Sequence, residues 1–130
     1  HFVLYIKDLL TKKYGSQIII ALDTKNGNLV KKGWLGETNR NYLETVKEFA
    51  KQGVRKFIYT DVIKDGTLTE PNYKEIIKLA KTVSAPMFVG GGISSINDIK
   101  KLKSIGVDGV IIGKALYEDR IDLKEAIDAG

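Results

Sequence analysis

Two glycine-rich stretches carry the strongest chemical signal in this sequence. Gly90-Gly91-Gly92-Ile93-Ser94-Ser95 follows the apolar run Met87-Phe88-Val89, and Gly113-Lys114-Ala115-Leu116 follows Val110-Ile111-Ile112. Each runs into a helix-like stretch. A strand that ends in glycine and opens a helix brings bare backbone N–H groups and a helix N-terminus to one point, which suits a phosphate. Three consecutive glycines also occur in plain flexible loops, but the strand before and the helix after favour the phosphate reading. Gly113-Lys114 is a weaker signal alone and gains from its partner. The expected ligand is a phosphorylated small molecule held by Gly91, Gly92, Ser94, Gly113 and Lys114.

A second set of residues could act on such a ligand. Asp23 closes the apolar run Gln17 to Leu22 and suits a general acid/base carboxylate, against the alternative of a turn or cap aspartate. Thr60 and Asp61 end another apolar run. Thr60 can donate a hydrogen bond to substrate, and Asp61 can cap or orient a loop, with a purely structural contact as the competing use. Lys64-Asp65-Gly66-Thr67 reads first as a turn. Trp34, the single Trp, stands among Lys, Gly and Asn in a long polar stretch. A lid that stacks on a planar ligand suits it better than a core position. His1 is the single His and no Cys occurs, so Ser-His or Cys-His catalysis and His- or Cys-based metal sites have no residues to build on.

The elements that must position these groups alternate regularly. A loosely helical pattern covers residues 1–14, and Gly15 is placed to cap it. Strands are expected over 17–22, 56–60, 86–89 and 108–112. Helices are expected over 41–52, 72–83, 95–105 and 123–129, with a short helical turn at 116–117 and a long loop over 24–39. Strands that alternate with helices imply a parallel sheet, and their nearly all-apolar composition suits burial on both faces. In (β/α)₈ barrels, strand C-terminal ends carry the active site and the loops after strands 7 and 8 hold phosphate. A short echo between Ile20–Leu29 and Tyr59–Leu68 is what βα repeats would show. The expected fold class is therefore α/β: half of a (β/α)₈ TIM barrel, with four parallel strands. A complete barrel needs about 250 residues, and this sequence has 130. Either a first half is absent or two copies complete each other, since an open four-stranded half exposes one sheet face and two edges.

Composition narrows the function classes. Hydrophobic residues make up 43% and charged residues 28%, which suits a globular chain rather than a disordered one. The net charge of +5 and pI near 9.3 raise a nucleic-acid partner. The charge is mostly Lys spread over every expected helix, without an Arg cluster, so a solvated surface that attracts an anionic metabolite is the better reading. No apolar run is long enough for a membrane span, and no signal-peptide pattern is present. A cytoplasmic protein with no nucleic-acid or membrane partner is expected.

Taken in order, Ile20-Ala21-Leu22-Asp23, Gly33-Trp34 with Glu37, Tyr59-Thr60-Asp61, Asp65-Gly66-Thr67-Leu68, Gly91-Gly92-Ile93-Ser94-Ser95 and Gly106 to Glu118 resemble one family. It is the phosphoribosylformimino-aminoimidazole-carboxamide ribotide isomerase of histidine biosynthesis, over the C-terminal half of its barrel. The resemblance implies an Amadori rearrangement of an aminoaldose to an aminoketose, with no metal or organic cofactor. An acid protonates the ring oxygen, and a base shifts a proton from C2 to C1 through an enolamine. It implies that Asp23 is the strand 5 acid, that Thr60 assists, and that Trp34 covers the substrate. It also implies that Asp65 and Gly66 line the substrate site, and that Gly91, Gly92, Gly113 and Lys114 form one of two phosphate sites. The second aspartate and second phosphate site would belong to the N-terminal half-barrel. The related cyclase subunit of imidazole glycerol phosphate synthase shares the phosphate loops and the strand 5 aspartate but lacks the Gly33-Trp34 pattern. A self-associating half-barrel that binds phosphate and catalyses nothing is the non-enzymatic alternative.

Overall fold

The computed structural model describes residues 12–31 and 36–130. A short 3₁₀ turn, Gly15–Gln17, leads into β1 (Ile19–Lys25), β2 (Asn28–Lys31), β3 (Gly36–Asn41), α1 (Tyr42–Lys51), β4 (Lys56–Asp61), α2 (Tyr73–Thr82), β5 (Met87–Gly90), α3 (Ile96–Ile105), β6 (Gly109–Ile111), α4 (Lys114–Tyr117) and α5 (Leu123–Ala129). The sheet order is β3-β2-β1-β4-β5-β6. The neighbouring pairs β1–β4, β4–β5 and β5–β6 are parallel. These are the four strands expected from the apolar runs, with α1, α2 and α3 in the crossovers between them and after β5. Among the described residues, no helix is long and apolar enough to cross a membrane.

The helices start where the sequence offers caps. Asn41 accepts hydrogen bonds from the Leu43 N–H (2.9 Å) and the Glu44 N–H (3.4 Å). Asn72 opens α2 and Asp122 opens α5 in the same manner. Ser95 and Asp98 form a reciprocal capping box at α3. Gly106, in the left-handed region at φ 102°, stops α3.

The two sheet faces differ sharply. Leu22, Phe57, Tyr59, Met87 and Val89 are buried with Val46, Ile76, Leu79, Ile99 and Leu102 of the helices, and this is the core. The alternate residues point the other way. There Ile19 and Ile111 are 47% and 48% exposed, Ala21 is exposed, and Ile58 and Phe88 are half-buried. Parallel sheets are normally covered on both faces, whereas among the described residues the helices pack on one face only. Phe88 reaches across to β6, where a Cβ on Gly109 would lie 2.5 Å from its ring.

Two expectations need correction. The first strand runs over Ile19–Lys25 rather than 17–22, which puts Asp23 inside the strand near its C-terminal end. The stretch read as a loop over 24–39 contains β2 and β3, both antiparallel, so the sheet has six strands and is mixed. The cause is the Asn26-Gly27 pair. Both residues have positive φ, 53° and 79°, as a two-residue hairpin turn between Lys25 and Asn28 requires. The helix expected over 1–14 falls almost wholly outside the described residues.

Candidate functional site

Register brings the two proposed reactive residues together. Asp23 pairs with Thr60 across β1 and β4, Thr60 pairs with Gly90, and Gly90 pairs with Ile111. In-register partners on neighbouring strands point to the same side, about 4.8 Å apart. Thr60 alternates with the buried Tyr59 and Asp61, so the row Asp23–Thr60–Gly90–Ile111 lies on the face away from the helices, near the strand C-terminal ends. Gly90 leaves room in this row. A Cβ there would sit 3.4 Å from Ile111 Cβ and 3.6 Å from Thr60 Oγ1.

Beyond this row the three loops that follow β4, β5 and β6 line a small cleft with a cavity volume of about 20 Å³. Its walls include Asp65 and Gly66 from the first loop, Gly91 and Gly92 from the second, and Gly113 and Lys114 from the third. Six of the expected site residues are thus brought to one place by residues far apart in sequence. The Lys114 ammonium donates to the Gly66 carbonyl (3.3 Å) and lies 3.7 Å from a Glu118 carboxylate oxygen. It is half exposed, so its pairing with Glu118 is weak and its charge is free to meet an anion. The helix after Gly113 is a single turn without a side-chain cap, so the loops rather than a long helix supply the site. A broader hollow of about 340 Å³ at the other end of the strands is lined mainly by Ala50, Val54, Val83, Ala85 and Pro86 beside Arg55. It lacks the converging polar groups that orient a ligand.

Ser94 does not line the cleft. Its hydroxyl lies 2.9 Å from the Thr69 carbonyl and 3.0 Å from an Asp98 carboxylate oxygen, two acceptors that compete for its single proton. Asp98 gathers more bonds. One oxygen accepts from the Tyr73 hydroxyl, and the other from the Ser94 and Ser95 N–H groups at 2.9 and 3.1 Å. Burial works to raise the Asp98 pKa. The hydrogen bonds from Tyr73, Ser94 and Ser95 outweigh it and hold the carboxyl below its usual range. The Tyr73 hydroxyl is pushed upward by burial and by its bond to this carboxylate.

Asp61 is 4% exposed and points into the helix layer. One carboxylate oxygen accepts from the Ile63 and Lys64 N–H groups at 2.9 and 3.3 Å, and the other from the Asn72 amide at 2.6 Å. The alternation around Tyr59-Thr60-Asp61 was the only sequence signal for this opposite orientation. Trp34 lies outside the described residues. Among the described residues, no group of three or more His, Cys, Asp or Glu converges to hold a metal ion.

A mostly parallel sheet with strand-end carboxylate and hydroxyl groups beside a glycine-lined, Lys-bearing cleft defines an α/β protein. Residues 4–122 match the model of the histidine biosynthesis protein family, and the chain belongs to that family. It is similar to an imidazole-4-carboxamide isomerase of Clostridium novyi (strain NT), 42% identical over 116 residues, covering 89% of this chain and 49% of that protein. It is also similar to the isomerase of the same name from Bacillus cereus (strain AH187), 42% identical over 128 residues, 96% of this chain and 54% of that protein. The full names of both relatives contain two 5-phosphoribosyl groups. The chain spans about half the length of these relatives.

Proposed function

We propose that this chain supplies the C-terminal half of a (β/α)₈ barrel that carries out the aldose-to-ketose isomerisation of a bis-phosphorylated aminoimidazole ribotide in histidine biosynthesis, in the cytoplasm. The observation that carries the reading is the placement of Asp23 and Thr60 side by side on the uncovered sheet face, beside the cleft of Gly66, Gly91, Gly92, Gly113 and Lys114. The cleft takes one phosphate of the substrate. The sugar then lies over the strand ends, where Asp23 protonates its ring oxygen as the ring opens. The base that shifts the proton from C2 to C1 belongs to the other half-barrel, along with a second phosphate site. Thr60 hydrogen-bonds the substrate, and Trp34 covers it. No cofactor takes part in this scheme.

The uncovered face supports a partner for the half. Ile19, Ala21 and Ile111 stand exposed on it, and burying such a face is favourable by about 25 cal/mol per Å² of apolar surface. The N-terminal half-barrel is the occupant that completes the site, and a second copy of this chain is the substitute when it is missing. Light scattering of this chain with and without that half distinguishes the cases. A one-to-one complex or a dimer is expected, and a stable monomer that ignores the added half would remove the structural basis of the reading. In the complete barrel, Asp23→Asn is expected to lower kcat by at least about 100-fold while substrate still binds. Near-normal turnover in that variant would show that Asp23 is not the acid.

A further inference from the structure

The cleft depends on a loop that must be held in one shape. Residues 62–72 join β4 to α2, and this segment contributes Asp65, Gly66 and Leu68 to the cleft wall. We propose that Asp61 is a positioning residue for the cleft: its buried carboxylate, latched to Asn72, holds this loop against the glycine turn that follows β5. The inference rests on reading the cleft as a phosphate site.

Three sets of contacts converge on Asp61. Its carboxylate ties down the start of the loop through the Ile63 and Lys64 N–H groups. The same carboxylate ties the end of the loop through the Asn72 amide, 2.6 Å away. Its main-chain carbonyl accepts from the Asp65 N–H at 3.0 Å, which fixes the residue next to Gly66. The second loop then rests on this one. A Cβ on Gly91 would lie 2.7 Å from the Asp61 carbonyl oxygen, and a Cβ on Gly92 would lie 2.3 Å from the Glu70 carbonyl oxygen. The two loops therefore touch backbone to backbone, and a displacement of the first moves the second.

The latch has a defined polarity. Asn72 caps α2 by accepting from the Glu75 N–H with its side-chain oxygen (3.4 Å). That leaves its NH₂ group for Asp61, and only an acceptor can face it. On the other side Asp61 also meets only donors, the two N–H groups. A carboxylate, with two acceptor oxygens, satisfies both sides. An asparagine at 61 cannot, because in either orientation its NH₂ group meets a donor. A donor facing a donor in a buried site leaves both without a partner, which costs more than the loss of one exposed bond.

This gives a test by polarity reversal. The probe is inorganic phosphate, titrated into the chain while the amide resonances of Gly66, Gly91, Gly92 and Gly113 are followed by NMR. Asp61→Asn is expected to weaken phosphate binding about tenfold. Asn72→Ser, which keeps a good helix cap but removes the amide donor, is expected to weaken it in the same direction. The double variant Asp61→Asn/Asn72→Asp restores an acceptor–donor pair with the roles exchanged and still caps α2. It is expected to return to within about threefold of the parent. Equal affinity in the parent and both single variants overturns the proposal, as does a double variant no better than Asp61→Asn alone. Absence of any phosphate-dependent shift in the parent chain overturns the ligand reading of the cleft, and this inference with it.

Discussion

The turns after β5 and β6 look alike in sequence, a short apolar strand followed by glycine, and the structure uses them differently. After β5, Gly91 and Gly92 adopt φ of +94° and +81°, and a side chain would run into the backbone of Asp61 at the end of β4 from Gly91 and of Glu70 in the β4–α2 loop from Gly92. The turn feeds a ten-residue helix through a capping box. After β6, Gly113 has φ −110° and ψ −104° and opens a one-turn helix with no side-chain cap. A Cβ there would meet nothing within 4 Å. Glycine is therefore required for folding at the first turn. At the second it leaves a space, and that space opens into the cleft. One turn builds the wall, and the other keeps the mouth open.

The sharpest test of the first half of this contrast is Gly92→Ala. The added methyl would lie 2.3 Å from the Glu70 carbonyl carrying φ +81°, so both sterics and backbone conformation oppose it. A loss of about 3 kcal/mol or more is expected, measured by urea unfolding. A variant within about 0.5 kcal/mol of the parent would mean that the loops move apart easily, and the β5 turn would lose its structural role.

The capping carboxylate beneath this turn gives the next effect. Asp98 is depressed below its ordinary value because the bonds from Tyr73, Ser94 and Ser95 outweigh the burial that works to raise it. A carboxyl with a lowered folded-state pKa contributes stability that is fully present above its unfolded value, about 3.9. That contribution disappears as pH falls through the lower folded value. Asp98→Ala is expected to cost about 2 kcal/mol at pH 7, and Asp98→Asn is expected to flatten the fall in stability below about pH 4. Urea titrations at stepped pH would show it. An unchanged acid slope in Asp98→Asn would place the acid sensitivity elsewhere.

The parallel strands and their helices were legible because each was written twice, as an apolar run and as a cap. Asn41, Asn72, Ser95 and Asp122 start the helices within a residue or two of the positions their periodicity indicates. The β2–β3 ribbon was missed although Asn26-Gly27 is a hairpin turn pair, because the flanking residues are mostly polar and show no alternation. The residues of the cleft were legible as types and order: Gly66, Gly91, Gly92, Gly113 and Lys114 line one cleft. What each one does there was not. Ser94 reads as a ligand and is spent on Thr69 and Asp98, and Asp61 meets Asn72 across an eleven-residue separation that no local pattern announces. Register alone, which depends on the whole sheet, puts Asp23 beside Thr60.

The second half of the contrast predicts a smaller and more selective effect. Gly113→Ala introduces a methyl that touches nothing at φ −110° and ψ −104°, so a smaller stability loss than in Gly92→Ala is expected, about 1–2 kcal/mol. The same methyl narrows the cleft on the side where Gly113 and Lys114 face Gly66 and Gly91. If a phosphate approaches the bare backbone at this turn, affinity for inorganic phosphate falls by about tenfold. The pair of readings separates the two glycine roles in a single variant. Lost affinity with only this smaller loss of stability marks a glycine reserved for a ligand. A loss of stability as large as in Gly92→Ala with kept affinity would mean that the β6 turn, like the β5 turn, is glycine for the sake of the fold, and the phosphate would then have to rest on the β4 and β5 loops alone.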